Sequence, residues 1–580
     1  MATIQPKTTN GHKYWYIVES RRVNGKPRPV VLAYLGKAET LLARLQGIEK
    51  SFKLKSYSHG LIVKLLNVAD NLDICNILNQ YTCSLKDYTA NKPVRNGMTS
   101  GATLLMAAIG RACTVTSKSG WAEWAQTTSM EYLLRTNFSK IDSQHFWDGM
   151  DAFQTKDIAN AELDILKNVF QSYKIDTDSL FYDTTNFYTY IDSTNTNCDI
   201  AQRGKNKQKR TDLRQIGLAL VVTKNDMIPI FHYSYKGNLH DSMVFKEVIV
   251  KIKDRLEKLG ANIEKHTIVF DRGNNSKKNI ELIKELNLHY TGALTPYHHK
   301  ELIVEASENF TLLAISENQE VLTFRTVKNI WGYEMTVVVM ISDKLKDGQI
   351  KGIYSSLISC EQALIKLNTQ IQNTGRGNKR YTPDEAGKAA ENIVDKYKMQ
   401  DIIKYQINQC PEGCCGIEYT IMYENLAKLE EEMGFRILMT DRNEWETIDI
   451  IKAYHGQSNI ENTFKNMKNQ QHLSFNPQFH WTDRKIEVHN FCCVISYLLT
   501  ALIYKEARES GFSGSIASML DKLTNIRLGA LIEKTEKRGA NKVNYMLEEM
   551  NDPEKLLAES IKIVNLHEKP IKINGFGIYN

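Results

Sequence analysis

The sequence of 580 residues has few cysteines, a small net charge and no long uninterrupted apolar segment. Ten cysteines in a chain of this length, with no secretory signal at its start, indicate reduced thiols and no disulfide framework. The apolar run FCCVISYLLTALIY is too short and too interrupted for a membrane span, so it predicts a buried helix. We therefore expect a cytoplasmic globular protein without a membrane partner.

The net charge of +7 is only a weak indication of a nucleic-acid partner, because it is spread over the whole chain. Positive charge is concentrated instead between Arg203 and Arg214, where RGKNKQKRTDLR contains six cations and one acid. Lys209, Arg210 and Arg214 are candidate phosphate-binding residues in this stretch. A solvated basic loop is the alternative interpretation.

The two ends of the chain have different patterns. Apolar and polar side chains alternate around Asn24-Gly25, which predicts a small β-hairpin unit over 1–41. Helical spacing, as in LIVKLLNVADNLDICNIL, predicts a helical region over 42–155 and a second helical region over 483–580.

The central part of the chain has the pattern of an α/β sheet. In 156–294, three strand-like runs (SLFYDTTNFYTYI, QIGLALVVT and MIPIFHYSYKG) precede alternating helices and strands. A meander followed by such units is expected of a ribonuclease H-like fold. A β-rich segment with helices at 295–433 interrupts the pattern, which resumes over 434–482. We therefore predict an α/β protein with a ribonuclease H-like core, a β-rich insertion and helical N-terminal and C-terminal regions.

Acidic residues end two of the predicted buried strands. Asp183 follows SLFY and Asp271 follows TIVF, and acids at the carboxyl ends of such strands project toward the crevice where ligands bind. Either aspartate taken singly could instead cap a turn or a helix. Two acids placed alike in one sheet favour a metal site.

A third acid lies in YHGQSNIENTFKNMK, a segment predicted to be one helix. Tyr454, Gln457, Glu461 and Lys468 fall within an arc of about 60° at about 100° per residue, so we expect them to face one way. A solvated polar stripe is the alternative. Three carboxylates would allow two divalent cations to activate a nucleophile and stabilise a leaving oxygen in phosphodiester chemistry.

These motifs resemble bacterial insertion-sequence transposases of the DDE class, in the branch with the signature Y-x2-R-x3-E-x6-K. FYDTTNFY, KRTDLRQIGLALVV, GNLHDS and IVFDRGNNS resemble family segments in the same order, and the similarity covers most of residues 10–500. It implies that Asp183, Asp271 and Glu461 are catalytic ligands of two Mg²⁺ ions, with Mn²⁺ able to substitute. It also implies that Tyr454 and Lys468 position phosphates, whereas Gln457 stands where the family has arginine.

The spacing of the acids fits the same family. Asp271 and Glu461 are 190 residues apart, and the resemblance implies that the intervening β-rich insertion helps to form a DNA hairpin at the cut end. Trp331, in a predicted β turn, is a candidate for stacking on a flipped base, although a tryptophan in a core or a turn is the more frequent case.

The resemblance implies cut-and-paste transposition by a homodimer that binds double-stranded DNA, both the terminal inverted repeats of its element and a target. It also implies that the region 42–155 binds the DNA ends or forms dimers. Two alternatives stay open. One is a ribonuclease H-like nuclease that cuts without joining ends. The other is a domesticated or inactive relative that only binds DNA, an interpretation to which Gln457 contributes.

Overall fold

A computed structural model describes most of the chain. The described residues are 2–9, 12–23, 26–45, 52–82, 96–206, 210–316, 319–373, 380–409, 415–533, 542–569 and 571–577.

The chain begins with a small antiparallel sheet of three strands. These are β1 (Ala2–Thr9), β2 (His12–Val23) and β3 (Lys26–Gly36), with β2 in the middle. The helix α1 (Ala38–Leu45) follows them. The predicted hairpin of β2 and β3 is therefore present with one further strand, while its turn residues Asn24-Gly25 lie outside the described residues.

A helical region follows, but it opens with the strand β4 (Phe52–Ser58). Its helices are α2 (Gly60–Asn71), α3 (Ile74–Gln80), α4 (Ser100–Cys113), α5 (Trp121–Ala125), α6 (Met130–Leu134), α7 (Ser143–Asp151) and α8 (Ile158–Ser172).

The middle of the chain alternates strands and helices. In order these are β5 (Ser179–Thr189), β6 (Arg214–Thr223), β7 (Pro229–Lys236), α9 (Asp241–Lys258), β8 (Thr267–Phe270), α10 (Lys277–Glu285), β9 (His289–Leu294), α11 (Lys300–Asn309), β10 (Thr311–Ser316), β11 (Gln319–Ile330) and β12 (Tyr333–Ile341).

The rest of the chain is mostly helical. Its elements are α12 (Asp343–Gln372), α13 (Pro383–Tyr397), β13 (Ile403–Gln409), β14 (Cys415–Ile421), α14 (Tyr423–Glu431), β15 (Phe435–Thr440), α15 (Thr447–His455), α16 (Ser458–Met467), α17 (Asp483–Glu509), α18 (Ile516–Asn525), β16 (Arg527–Glu533), β17 (Lys542–Leu547) and α19 (Asp552–Ser560).

One large mixed sheet organises the molecule, and it confirms the predicted α/β class. Its strand order is β10-β11-β12-β15-β9-β8-β5-β6-β7. Strands β5, β8 and β9 run parallel to one another, and every other neighbouring pair in this sheet is antiparallel. The strands β10–β12 of the predicted insertion therefore extend the central sheet through β15, and do not form a separate β unit.

The two faces of the sheet are covered differently. Alternate residues of a strand point to opposite faces, so Phe181 and Phe187 of β5 lie in one apolar core with α15, α16 and α17. Leu180 and Tyr182 lie in a second core, which includes α9 and α10. The first of these faces is called the α16 face below.

The regions predicted to be wholly helical also share a sheet. The strand β16 pairs antiparallel with β17 and with β4, Leu531 lying opposite Leu54. The all-helical prediction for 42–155 and 483–580 was wrong at these strands. Each strand has only six or seven residues, and β4 pairs with residues more than 460 positions away, so no local pattern indicates the partner.

The apolar run of the C-terminal region lies in α17. Within the described ranges, α17 is the one helix long and apolar enough to cross a membrane by length and composition, but 94% of its most apolar window is buried inside the protein. The prediction of a buried helix is confirmed.

Candidate active site

Asp183 and Asp271 lie side by side at the sheet. Strands β5 and β8 are parallel, with Tyr182 opposite Phe270. The next residues, Asp183 after Tyr182 and Asp271 after Phe270, therefore lie at the same level. Neighbouring strands are about 4.8 Å apart. In each case the carboxylate oxygen Oδ1 accepts a hydrogen bond from the following backbone N–H at 2.7 Å.

Both aspartates point to the α16 face. Phe181 and Val269, two residues before each aspartate, belong to the core on that face, and residues two apart in a strand share a face. The two carboxylates are therefore on the side of the sheet that α15 and α16 cover.

Two contacts fix α16 beside β5. At its start, the added Cβ of a residue at Gly456 would lie 2.5 Å from Cζ of Phe181, so glycine permits this close approach. At its end, Lys468 Nζ donates a hydrogen bond to Thr185 Oγ1 and lies 5.3 Å from the centre of the Phe187 ring. The helix α16 therefore lies beside the strand that contains Asp183, and Glu461 is exposed in the first turn of this helix.

The predicted single helix around Glu461 is two helices. α15 ends at His455 and α16 begins at Ser458, and the joint has tight i to i+3 bonds, such as that from the Asn459 N–H to the Gly456 carbonyl at 2.8 Å. Tyr454 and Gln457 are buried, whereas Glu461 and Lys468 are exposed. The four residues therefore differ in exposure, and the joint at Gly456 and Gln457 separates Tyr454 from Glu461.

Tyr454 lies within electrostatic range of two of the acids. Burial raises the pKa of Tyr454 to about 12, and the negative charges of Asp271 and Glu461 act in the same direction. The cations Arg436 and Arg272 act in the opposite direction. The hydroxyl therefore keeps its proton at neutral pH and can only donate to an anion as a neutral group.

A cleft of about 430 Å³ opens next to Asp271 and Tyr454. Several charged and aromatic residues that the sequence analysis missed line it: Arg272, Tyr297, Lys300, Glu432 and Arg436. The Arg436 guanidinium carbon lies 5.5 Å from the centre of the Tyr454 ring, and Lys300 pairs with Glu432 at 2.8 Å. Arg436 lies on the α16 face at the start of the strand FRILMT. In the sequence, that position in the strand was the only indication that Arg436 belongs to the site.

The donor set at the site suits a hard divalent cation. Carboxylate oxygens are the ligands that Mg²⁺ and Mn²⁺ prefer, and Asp183 and Asp271 present two of them on adjacent strands. No three His, Cys, Asp or Glu side chains of the described ranges are grouped closely enough to hold an ion. The residue types fit the metal, but the structure shows two neighbouring acids and a third on the facing helix, not one group of three ligands.

The basic candidates lie at the far end of β5 and β6. Arg210 makes a two-point ion pair with Asp212, at 2.8 and 2.7 Å. Arg214 donates to two backbone carbonyls of the loop after β5, at 3.0 and 2.9 Å. Lys209 lies outside the described residues.

Trp331 is not brought to the acids. It lies in the predicted turn between β11 and β12, with φ of 56°. The antiparallel registers of β12, β15 and β9 place this turn at the edge of the sheet opposite to the one where Asp271 lies. Trp331 also packs against the core on the other face, so the structure does not bring it to the acids, and its role in stacking on a base stays a prediction.

The comparisons with known proteins agree with these features. Residues 188–499 match the transposase DDE domain, a span that contains Asp271 and Glu461 and begins just after Asp183. Residues 3–56 match the N-terminal domain of the IS1634 family transposases. The chain therefore belongs to the insertion-sequence transposases of the DDE class, and the predicted membership of that class is confirmed.

The other comparisons add little. A cryo-EM structure of a piggyBac transposase synaptic complex with hairpin DNA is similar over 80% of this chain and 79% of that chain, with 10% sequence identity and a TM-score of 0.37. This similarity is too low to support any statement about fold or activity. The chain has no significant match among curated proteins.

Proposed function

We propose that this transposase excises and inserts its element by cut-and-paste, through metal-dependent DNA cleavage and strand transfer at Asp183, Asp271 and Glu461. The observation that carries the proposal is the register of β5 and β8, which sets two carboxylates side by side on the face covered by the helix of Glu461. Two acids that only capped turns would not be expected to lie at the same level and on the same face of the sheet.

The sheet supports a ribonuclease H-like core. Strands β7, β6 and β5 form an antiparallel meander, and β8 and β9 add parallel to β5 through the helices α9 and α10. This is the meander followed by αβ units that the sequence predicted. On this proposal, 156–294 and 434–482 form the core.

The three carboxylates would hold two Mg²⁺ ions. When bound, such ions activate water or a 3′-hydroxyl and stabilise the leaving oxygen. The chain itself would orient the scissile phosphate: Lys468, fixed by Thr185, supplies a positive charge, and the Tyr454 hydroxyl donates as a neutral group. Arg436, beside Tyr454, supplies the cation that Gln457 does not.

The remaining regions would serve the DNA ends. We propose that 42–155, with the C-terminal helices of 483–580, binds the terminal inverted repeats, and that a homodimer holds two ends together. The freed 3′-hydroxyl would attack the opposite strand to form a hairpin, with 295–433 shaping the DNA, before reopening and joining to a target. The reaction would take place in the bacterial cytoplasm.

Cleavage of a labelled duplex that carries the element's own end, with Mg²⁺ or with EDTA, tests the proposal. Nicks followed by hairpins only in the presence of the metal are expected. If the protein bound the duplex but gave no product under any metal condition, the second candidate function, a relative that only binds DNA, would replace the proposal. The buried glutamine at 457 favours this second candidate, because it stands where the family has the cation arginine.

The proton on Tyr454 leads to a pH prediction. Because the pKa of Tyr454 is raised to about 12, the hydroxyl does not titrate between pH 6 and about pH 10. Tyr454→Phe should therefore lower the cleavage rate about tenfold, the usual effect of losing a hydrogen bond to a charged group, without changing the shape of the pH–rate profile. A descending limb below pH 10 that disappears in the variant would contradict this.

The role of Lys468 can be measured through salt dependence. Lys468→Ala should weaken binding to all DNA sequences alike and reduce the slope of log K against log salt by about 1, because one phosphate contact is lost. Lys224→Ala, in the turn after β6 at the other edge of the sheet, is the control and should leave the slope unchanged. Equal slopes for parent and Lys468→Ala would show that Lys468 is structural.

A further inference from the structure

Three aromatic side chains are exposed together beyond the far end of β5. Tyr190, Phe479 and Trp481 are 56%, 57% and 54% exposed, and the Tyr190 and Phe479 rings lie 5.6 Å apart. His480, between the other two, is buried, whereas the residue on either side of it is exposed. These three residues are called the aromatic platform.

The backbone beneath the platform is held in place. The Tyr190 N–H donates to the Gln478 carbonyl at 3.1 Å, and the side-chain amide of Asn195 donates to the Trp481 carbonyl at 3.3 Å. Below them, the buried rings of Phe187 and Phe475 stack at 4.3 Å. The rings are therefore presented to solvent by a fixed support, which lowers the entropy lost on binding.

The segment that follows Tyr190 in the chain is rich in cations. Residues 190–214 contain six cations and three acids, and each acid is already engaged: Asp192 accepts from Thr194, while Asp199 and Asp212 pair with Lys236 and Arg210. Arg214 starts β6 directly opposite Thr189. Rings beside cations are complementary to DNA, whose bases stack and whose phosphates are negative.

The platform and the acidic site lie on one strand and its continuation, with the buried Phe187 between them. Asp183, Thr185 and Phe187 lie on one face of the strand, and Lys468 covers the last two of them. From Asp183 to Tyr190 is about 23 Å at about 3.3 Å per residue, a distance spanned by at most about seven nucleotides of one strand at about 3.4 Å each.

We propose that the aromatic platform of Tyr190, Phe479 and Trp481 binds unpaired bases of a DNA strand that also reaches the carboxylates. The inference rests on the proposed function, because it assigns a place to the strand that is opened at the cleavage site. Stacking makes the surface selective for single-stranded over fully paired DNA, since the faces of paired bases are covered by their neighbours.

Fluorescence anisotropy with the full chain in EDTA tests this without any cleavage. The probes are a fluorescein-labelled thymidine dodecamer and a duplex of the same length. Phe479→Ala and Trp481→Ala should each weaken binding of the single strand about tenfold and change binding of the duplex less than twofold. Trp481→Phe keeps a stacking ring and should retain the parent affinity, while losing part of the tryptophan fluorescence quenching that the parent shows.

Tyr423→Ala, which removes an exposed ring of α14, is the matched control and should leave both affinities unchanged. Single-strand affinity unaffected in the Phe479→Ala and Trp481→Ala double variant would overturn the proposal. So would equal losses for both probes, or a change in self-association with DNA binding intact, which would make the platform a contact between copies. This assay measures binding without cleavage, so it tests the platform separately from the proposed function. If the chain did not cleave DNA but showed the expected affinities, the proposed function would be contradicted and the platform would still be supported.

Discussion

Asp183→Ala is expected to lower the rate of strand cleavage by about 10³-fold or more while binding of the duplex end stays within about twofold of the parent. The carboxylate lies at the level of Asp271 on the neighbouring strand, so its removal halves the donor pair on the sheet. Loss of a group that stabilises developing charge in a water-excluded site costs about 10²–10³-fold, and loss of a metal ligand also removes the activation of the nucleophile. Initial rates on a labelled end in Mg²⁺ measure this effect.

Asp178→Ala is the matched control, because Asp178 is exposed immediately before β5, at the opposite edge of the same sheet. It should cleave at the parent rate. Cleavage by Asp183→Ala within about tenfold of the parent, in protein with an unchanged thermal unfolding midpoint, would exclude Asp183 as a ligand. The catalytic acids would then have to be sought around Asp271 and the cleft beside it.

The strands that contain the two aspartates could be predicted, because the burial of each strand is indicated by the apolar residues of the strand itself. β8 is the fully buried run TIVF, and the first four residues of β5 are also buried, so each acid marks the point where an apolar run stops. Their place in one sheet followed from the meander and the αβ units after it, whereas the pairing of β5 with β8 did not, because β6 and β7 lie between them in the sequence.

The joint beside Glu461 could not be predicted, because local periodicity contains no information on what a helix packs against. The offsets of Tyr454, Gln457 and Glu461 suit one helix, and the ring of Phe181 on which the joint packs lies some 270 residues earlier in the chain. Trp331 illustrates the same limit. Its turn was predicted from NIWGYE, but the edge on which the turn lies depends on the order β12-β15-β9.

Arg436 was missed for a related reason. In sequence it is a charged residue near the start of an apolar strand, where a solvated position is the ordinary expectation. The register of β15 against β9 brings that start to the edge of the sheet where β9 ends, and the α16 face then puts the guanidinium next to Tyr454. A pairing between strands about 140 residues apart is therefore what makes this cation part of the site.

Gly456→Ala should separate the helix of Glu461 from the sheet. Its φ is in the helical range, so alanine causes no backbone strain, but its Cβ would lie 2.5 Å from Cζ of the fully buried Phe181. Overpacking of this kind costs about 1–3 kcal/mol. Relief by a shift of the joint would move Tyr454 and Glu461 away from the two aspartates, and a displacement of about 1 Å lowers the rate about 10²-fold. Urea unfolding and initial cleavage rates report the two effects separately.

A second substitution on the facing strand distinguishes a steric cause from a general loss of stability. Phe181→Leu makes room for the added methyl group, so the double variant Gly456→Ala/Phe181→Leu should cleave faster than Gly456→Ala, although Phe181→Leu alone destabilises the core. Gly352→Ala, in α12 where an added Cβ meets no atom within 4 Å, should stabilise by about 0.5–1 kcal/mol and leave cleavage unchanged. If Gly456→Ala behaved like Gly352→Ala, the contact with Phe181 would not set the position of Glu461, and the helix would have to be held chiefly at its other end by Lys468 on Thr185.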